Sequence, residues 1–413
     1  MRRLSLLLMT LLLLAGCSVA GGDEQDGKTT VTFRLWDDQV AKAYEQSFAA
    51  FEKAHPDVKV TVQLVPWADY WTKLPADIAA GTTADIFWTN TSNFGIYADN
   101  NQLLPVDPDP GWTTPVVDLY TRNGKLWGVP QLWDSIALFY NKDLVARAGV
   151  DPATLTWDPA GAKDTLRAAA RKLTDPGAGV FGINAAFDQQ AILWDFVGSN
   201  GGTWQSGDSF TFAGQPKTEQ AVQYVVDLIN KDHVAPPAAD TNTNGDKTLQ
   251  LFTQGKIALF QSGPYHLKSI QEGAGFAWGL APMLTGPAGR VGVVHGVAAV
   301  ASAKTPHRDA TVEVLRWLGS AEGQRPLAEG GYAFPGVTAA QPAFVDYWKK
   351  QGVDVQPFLD SAGGTTFPAP VGPKVGAGGT AYTPILQQVF LGQLGVPEGL
   401  RRAQDAGNEA MKG

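Results

Sequence analysis

Tryptophans standing beside short carboxylates, hydroxyls and amides are the residues of this chain best suited to chemistry. Trp36 is followed by Asp37 and Asp38, Trp88 by Thr89 and Asn90, and Trp133 by Asp134. An indole face covers apolar surface, carboxylates accept charge-assisted hydrogen bonds from hydroxyls, and an amide both donates and accepts. A ring with apolar faces and a rim of hydroxyls, which describes a sugar, fits that pairing. Core packing is the competing reading for any single indole, and Trp157, Trp278, Trp317 and Trp348, which lack such company, are assigned to it. Further aromatics fall where breaks in regular structure are expected: Trp67 after Pro66, then Tyr70, Trp71 and Trp194, Tyr265 after Pro264, and Tyr332.

Catalysis and metal binding find less support. The five histidines, His55, His233, His266, His295 and His307, are scattered, with no pair at ligand spacing. His295, beside an expected strand edge, is the one site candidate among them. No nucleophile elbow of the form G-x-S-x-G is present. Gly376-Ala377-Gly378-Gly379 lacks a strand before it and a helix after it, so it reads as a loop and not as a phosphate cradle. Asp37 and Asp134 could be paired acids of a surface glycosidase, yet aspartates beside tryptophans also serve plain binding. No catalytic residue, metal or cofactor is therefore expected.

Composition narrows the classes further. The chain has 413 residues with 32 basic and 40 acidic side chains, a net charge of -8. That balance argues against a general nucleic-acid binder, and the length suits two domains. The only cysteine is Cys17, which excludes an intramolecular disulfide and a Cys-rich zinc site. It follows a basic start (Met1-Arg2-Arg3) and an apolar run from Leu4 to Leu14, too short for a permanent membrane helix. Leu14-Ala15-Gly16-Cys17 resembles the bacterial lipobox. The resemblance implies a leader over 1–16, lipid on Cys17, and an anchor to the outer face of the cell membrane or a periplasmic location. Residues 17–30 are small and polar and read as a flexible tether.

The elements that must position these residues are legible from periodicity. Val31, Phe33 and Leu35 alternate as in a strand; Val40, Tyr44, Phe48 and Phe51 fall on one helical face; Val58, Val60, Val62 and Leu64 alternate again. Strand, helix and strand form a βαβ unit with parallel strands and a right-handed crossover. A helix over 69–80, stopped by Gly81, and a strand over 84–88 follow. Later come a strand at 135–140, helices near 162–173 and 219–232, an apolar strand at 297–301 and a helix over 309–318. The end is Gly- and Pro-rich from Gly363 to Gly379, then amphipathic from Tyr382 to Leu394. The fold class is α/β, with mainly parallel sheets. Ligands of open α/β sheets sit beyond the carboxyl ends of the strands, where Trp36-Asp37-Asp38 and Trp88-Thr89-Asn90 stand.

Several blocks in order resemble the carbohydrate-importing solute-binding proteins of the maltose-binding group, over most of the chain after Cys17. They are Phe51-Glu52-Lys53-Ala54-His55-Pro56-Asp57-Val58-Lys59-Val60, Ala84-Asp85-Ile86-Phe87-Trp88, and Gly124-Lys125-Leu126-Trp127-Gly128-Val129-Pro130, which continues to Leu138-Phe139-Tyr140-Asn141-Lys142-Asp143-Leu144. Phe252-Thr253-Gln254-Gly255-Lys256-Ile257-Ala258-Leu259 with Gly263-Pro264-Tyr265, and Pro282-Met283 through Gly289, complete the set. The resemblance implies two α/β lobes, 31–133 with 294–334 and 134–293 with 335–413, closing by a hinge on a ligand in the cleft. It implies sugar contacts from Asp134, Tyr265, Trp36, Asp37, Trp88, Thr89 and Asn90, with Trp67, Trp194, His295 and Tyr382 as further candidates; Asp38 and Tyr332 are candidates from their residue context alone. The partners implied are a sugar and the transmembrane permease subunits of an ABC importer, driven by a cytoplasmic ATPase; the receptor itself is expected to be a monomer. The family's basic residue after the first strand is replaced here by Asp37-Asp38-Gln39, which counts against maltose itself. A polyol, a glycerol-phosphate ester or a peptide are alternative ligands on the same fold.

Overall fold

The first strand, β1 (Thr29–Leu35), buries Val31, Phe33 and Leu35 completely and pairs in parallel with β2 (Val58–Leu64) and β3 (Ile86–Asn90). Helix α1 (Asp38–Ala54) lays Val40, Tyr44, Phe48 and Phe51 against that sheet, as its periodicity requires. A second helix, α2 (Trp67–Ala80), ends at Gly81 in the left-handed conformation that glycine adopts most readily. The description comes from a computed structural model covering residues 27–242, 246–372 and 374–412, so the leader and Cys17 lie outside the described residues.

Two sheets organise the chain. β4 (Val129–Asp134) leaves the first, and β5 (Ala137–Asn141) enters the second almost at once. The second sheet adds β6 (Phe181–Ile183), β7 (Ile257–Ser262) and β8 (Trp278–Ala281) in the order β8-β5-β7-β6. β9 (His295–Ala301) then returns to the first sheet, whose order is β2-β1-β3-β9-β4.

The expected parallel character holds only for part of each sheet. β9 runs antiparallel to both β3 and β4, and β5 antiparallel to both β7 and β8. The reason is topological. A strand carrying the chain out of one lobe and a strand bringing it back must run in opposite directions if they are neighbours. Each lobe has its own core: Phe33, Tyr44 and Trp88 belong to the first, and Trp157, Phe196 and Trp204 to the second. A third cluster joins Phe139, Phe252 and Phe260 to Phe344 and Trp348.

The Gly-rich end departs from expectation. Residues 376–379 are not a loop but the start of a helix, Val375–Phe390, followed by another, Val396–Lys412, which the periodicity alone did not suggest. A Cβ on Gly378 would sit 2.6 Å from Phe210, 2.9 Å from Met411 and 3.0 Å from the Gly407 carbonyl. Glycine there lets two helices approach closely, which outweighs its poor helix propensity. No helix among the described residues is long and apolar enough to cross a membrane.

Candidate functional site

The same edge of the first sheet carries most of the predicted residues. β1 and β3 end there, β4 ends at Asp134, and β9 begins at His295, directly opposite Asp134 in register. The Asp134 carboxylate and His295 Nδ1 lie 3.2 Å apart, with the two residues 9 % and 7 % exposed. His295 Nε2 has no protein partner. From the second sheet, the end of β7 leads into Gly263-Pro264-Tyr265, and the segment after β6 leads into a π-type turn, Gln189–Leu193, capped by Asp188. Trp194 follows that turn and lies over His295, ring centroids 6.4 Å apart and planes 28° from parallel. Its indole Nε1 is buried without a partner. Asp134, His295, Trp194 and Tyr265 are thus brought together from distant parts of the chain.

Electrostatics show which groups share this space. Desolvation of its hydroxyl end, with the charges of Asp188 and Asp134, raises the pKa of Tyr265 above the usual phenol range, although the residue as a whole stays 40 % exposed. The Asp188 carboxyl is raised by burial and held back by the Ala191 and Gln190 N–H groups, which donate to it at 2.9 and 3.0 Å, and by His295. Asp195, one residue after Trp194, is 3 % exposed and neither of its carboxyl oxygens has a partner. Burial first, and the Asp188 charge second, raise it well above the ordinary carboxylate range. Nothing among the described residues groups His, Cys, Asp and Glu closely enough to hold a metal.

The first-lobe candidates divide by role. Trp36 is half-buried and meets Trp88, Tyr70, Trp67 and Trp71 at centroid distances of 4.9, 5.0, 5.3 and 5.3 Å. Trp67 is 50 % exposed at the start of α2, so it, with the half-buried Trp36 and Trp71, forms the accessible part of that aromatic group. Trp88 and Thr89 are 1 % and 0 % exposed inside the sheet. Asp37 Oδ1 accepts from the Gln39 and Val40 N–H groups and caps α1, and burial raises its pKa. Asp38 is exposed in the first turn of α1. Asn90 caps the next helix, α3 (Thr91–Asp99), accepting from the Asn93 N–H at 3.1 Å.

Two aromatics serve other neighbours. Tyr382 is 3 % exposed and its hydroxyl accepts from Gln189 Nε2 at 2.6 Å, so it braces the π-type turn from behind. Tyr332 takes the Lys268 ammonium over its ring, 4.9 Å from the centroid. Sequence reasoning missed Asp188 and Asp195. For Asp195 a signal was present, because Leu-Trp-Asp occurs at 35–37, at 132–134 and again at 193–195.

Residues 37–325 match the model of the bacterial extracellular solute-binding protein family. The crystal structure of M. tuberculosis UspC is similar, with a TM-score of 0.75 and 45 % identity over 92 % of this chain and 100 % of that one. The ABC substrate-binding protein Lmo0181 from Listeria monocytogenes, solved in complex with cycloalternan, shares the fold at a TM-score of 0.83 and 23 % identity, over 93 % and 99 % of the two chains. The arabinooligosaccharide-binding protein of Bacillus subtilis is 27 % identical over 270 residues, 62 % of this chain and 60 % of its own.

Proposed function

The chain belongs to the bacterial extracellular solute-binding proteins, and from that membership we propose that it is the receptor of an ABC importer that captures a di- or oligosaccharide between its lobes. The observation that carries the reading is the Asp134–His295 pair, flanked by Trp194 and Tyr265 from the other lobe, with His295 Nε2 and Trp194 Nε1 unpartnered. Unpaired buried polar atoms are costly, and sugar hydroxyls, which both donate and accept, would satisfy them. The residues gathered there are acidic, neutral-polar or aromatic, which disfavours an anionic ligand such as a glycerol-phosphate ester. The relatives named for, or solved with, saccharides support the same class. A glycosidase is disfavoured because Asp37 Oδ1 is committed to a helix cap.

In this reading residues 31–133 with 294–334 form one lobe and 134–293 with 335–413 the other. Contacts to one sugar from both lobes are available only when the cleft is closed, so the sugar shifts the open–closed equilibrium by its differential affinity. The closed form is what the transmembrane permease subunits receive, and the cytoplasmic ATPase supplies the work. A lipid on Cys17 and the 17–30 tether would hold the monomeric receptor at the outer membrane face.

Isothermal titration with a panel of mono-, di- and trisaccharides tests the ligand class. A saccharide should bind and raise the melting temperature by linkage; silence across the panel in both assays would remove sugars from consideration. Asp134→Ala should then weaken binding by about 10- to 100-fold, the range of a hydrogen bond to a charged group, with the circular dichroism spectrum retained. Normal binding by that variant would show the site to be misplaced.

A further inference from the structure

We infer that His266 is a positioning residue, which with Ser262 and Gly263 clamps the Tyr265 ring in the orientation it presents to the cleft. The inference deepens the proposed sugar-binding role, since it concerns how one of that site's aromatics is held.

Tyr265 poses a physical problem. It is 40 % exposed, on a single turn of 3-10 helix (Pro264–His266) that follows the end of β7. An aromatic so exposed, on so short an element, would ordinarily sample several rotamers, and a ligand would have to order it. Three contacts prevent that. The Ser262 hydroxyl and His266 Nδ1 lie 2.7 Å apart, closing the turn on itself. The Tyr265 ring meets His266 edge-on, centroids 4.7 Å apart and planes at 75°. The ring also folds onto Gly263, so closely that a Cβ there would lie 2.2 Å from Tyr265 Cε1.

His266 is half-buried and packs against the core. It stacks on Phe260 at 5.8 Å and 23°, and Phe260 stacks on Phe252 at 5.1 Å and 21°. Both phenylalanines are essentially inaccessible, 1 % and 0 % exposed. A column of rings therefore runs from the third hydrophobic cluster through His266 to Tyr265. Burial pulls the pKa of His266 down to about 4, so the imidazole stays neutral and keeps one nitrogen able to accept. Gly263 has φ −94° and ψ 173°, a conformation open to alanine. Its absent side chain is required by the ring and not by the backbone.

The test reads Tyr265 directly and needs no sugar. The full chain is labelled with 3-fluorotyrosine, and the Tyr265 19F resonance is assigned from Tyr265→Phe. In the wild type that resonance should be displaced from free 3-fluorotyrosine. His266→Ala and Gly263→Ala should move it toward the free value, while His266→Asn, whose amide oxygen can accept from the Ser262 hydroxyl in the place of Nδ1, should restore it in part. The buried Tyr44 and Tyr224 resonances report the first and second cores; if His266→Ala disturbs them, Ser262→Ala decides instead. An unmoved Tyr265 resonance in a folded His266→Ala or Ser262→Ala variant overturns the inference. For a saccharide that the wild type binds, the loss of preordering should weaken affinity about threefold to tenfold, the cost of immobilising one side chain. Silence of the sugar panel would defeat the proposed function and leave the 19F result standing.

Discussion

Asp195 is the residue whose surroundings depart furthest from what its type prefers. Its carboxyl group is inaccessible, unpartnered and close to another acid. A carboxyl whose folded pKa lies above its unfolded value contributes stability that is fully present at acid pH and is lost as pH rises through the folded value. Asp195→Asn, of equal shape and without a charge, should therefore melt higher than the wild type at alkaline pH, and the gap should close as the pH falls. Thermal unfolding of both proteins from pH 5 to 9 would check the sign; a constant gap would mean that Asp195 does not titrate with folding. Asp37 shows the complementary case. Its place beside Trp36 marks it as a site candidate, yet the cap it provides to α1 was not legible, because capping depends on where the helix begins. Asp37→Ala should cost about 1 kcal/mol through the lost cap, whereas Asp37→Asn, which caps equally well and carries no charge to desolvate, should not lower the denaturation midpoint and isolates any contribution to sugar affinity.

At the scale of the elements, strands with alternating residues and helices with a single apolar stripe were legible, and the segments joining them were not. The early βαβ unit follows directly from Val31–Leu35, the α1 stripe and Val58–Leu64. The direction of β9 could not be read, since an apolar run looks alike in parallel and antiparallel company. The Gly-rich helix failed for a different reason: propensity speaks against it, and only the approach of residues from far along the chain overcomes that preference. In this helix, α4 (Val375–Phe390), which packs on its successor α5 (Val396–Lys412), neighbouring glycines separate packing from propensity. At Gly378 a methyl group meets Phe210 and Met411 of α5 below 3.0 Å, while at Gly379 its nearest neighbour is the Tyr382 hydroxyl at 3.9 Å. Gly379→Ala should stabilise by up to about 1 kcal/mol, and Gly378→Ala should destabilise by about 1–2 kcal/mol as overpacking exceeds that gain. Equal effects in urea denaturation would contradict the close-packing account.

For the whole molecule, the two-lobed arrangement was readable from the order of its sequence blocks, but the contact that meets across the lobes was not. α3, which follows β3 of the first sheet, touches α4 and the segment leading into it, and α4 packs Tyr382 and Leu386 into the second core. A Cβ on Gly95 would lie 3.1 Å from the Gly372 carbonyl, and one on Gly376 3.4 Å from Asn93 Oδ1. Backbone meets backbone there, so a large side chain would act as a wedge. Gly95→Leu should hold the lobes apart, seen as a larger radius of gyration by X-ray scattering with saccharide present, and should reduce affinity about tenfold or more by lowering the closed fraction. Unchanged scattering and affinity would show that this contact does not limit closure.

The insertion of β9 between β3 and β4 also sets the order of events during synthesis. Until residues 295–301 have emerged, β3 and β4 lack the strand that joins them, so the first lobe stays incomplete while the second is still being made. Contacts so distant in sequence form slowly. For a chain exported by the proposed leader, that delay lengthens the time in which it can be threaded across the membrane before it locks into a folded shape.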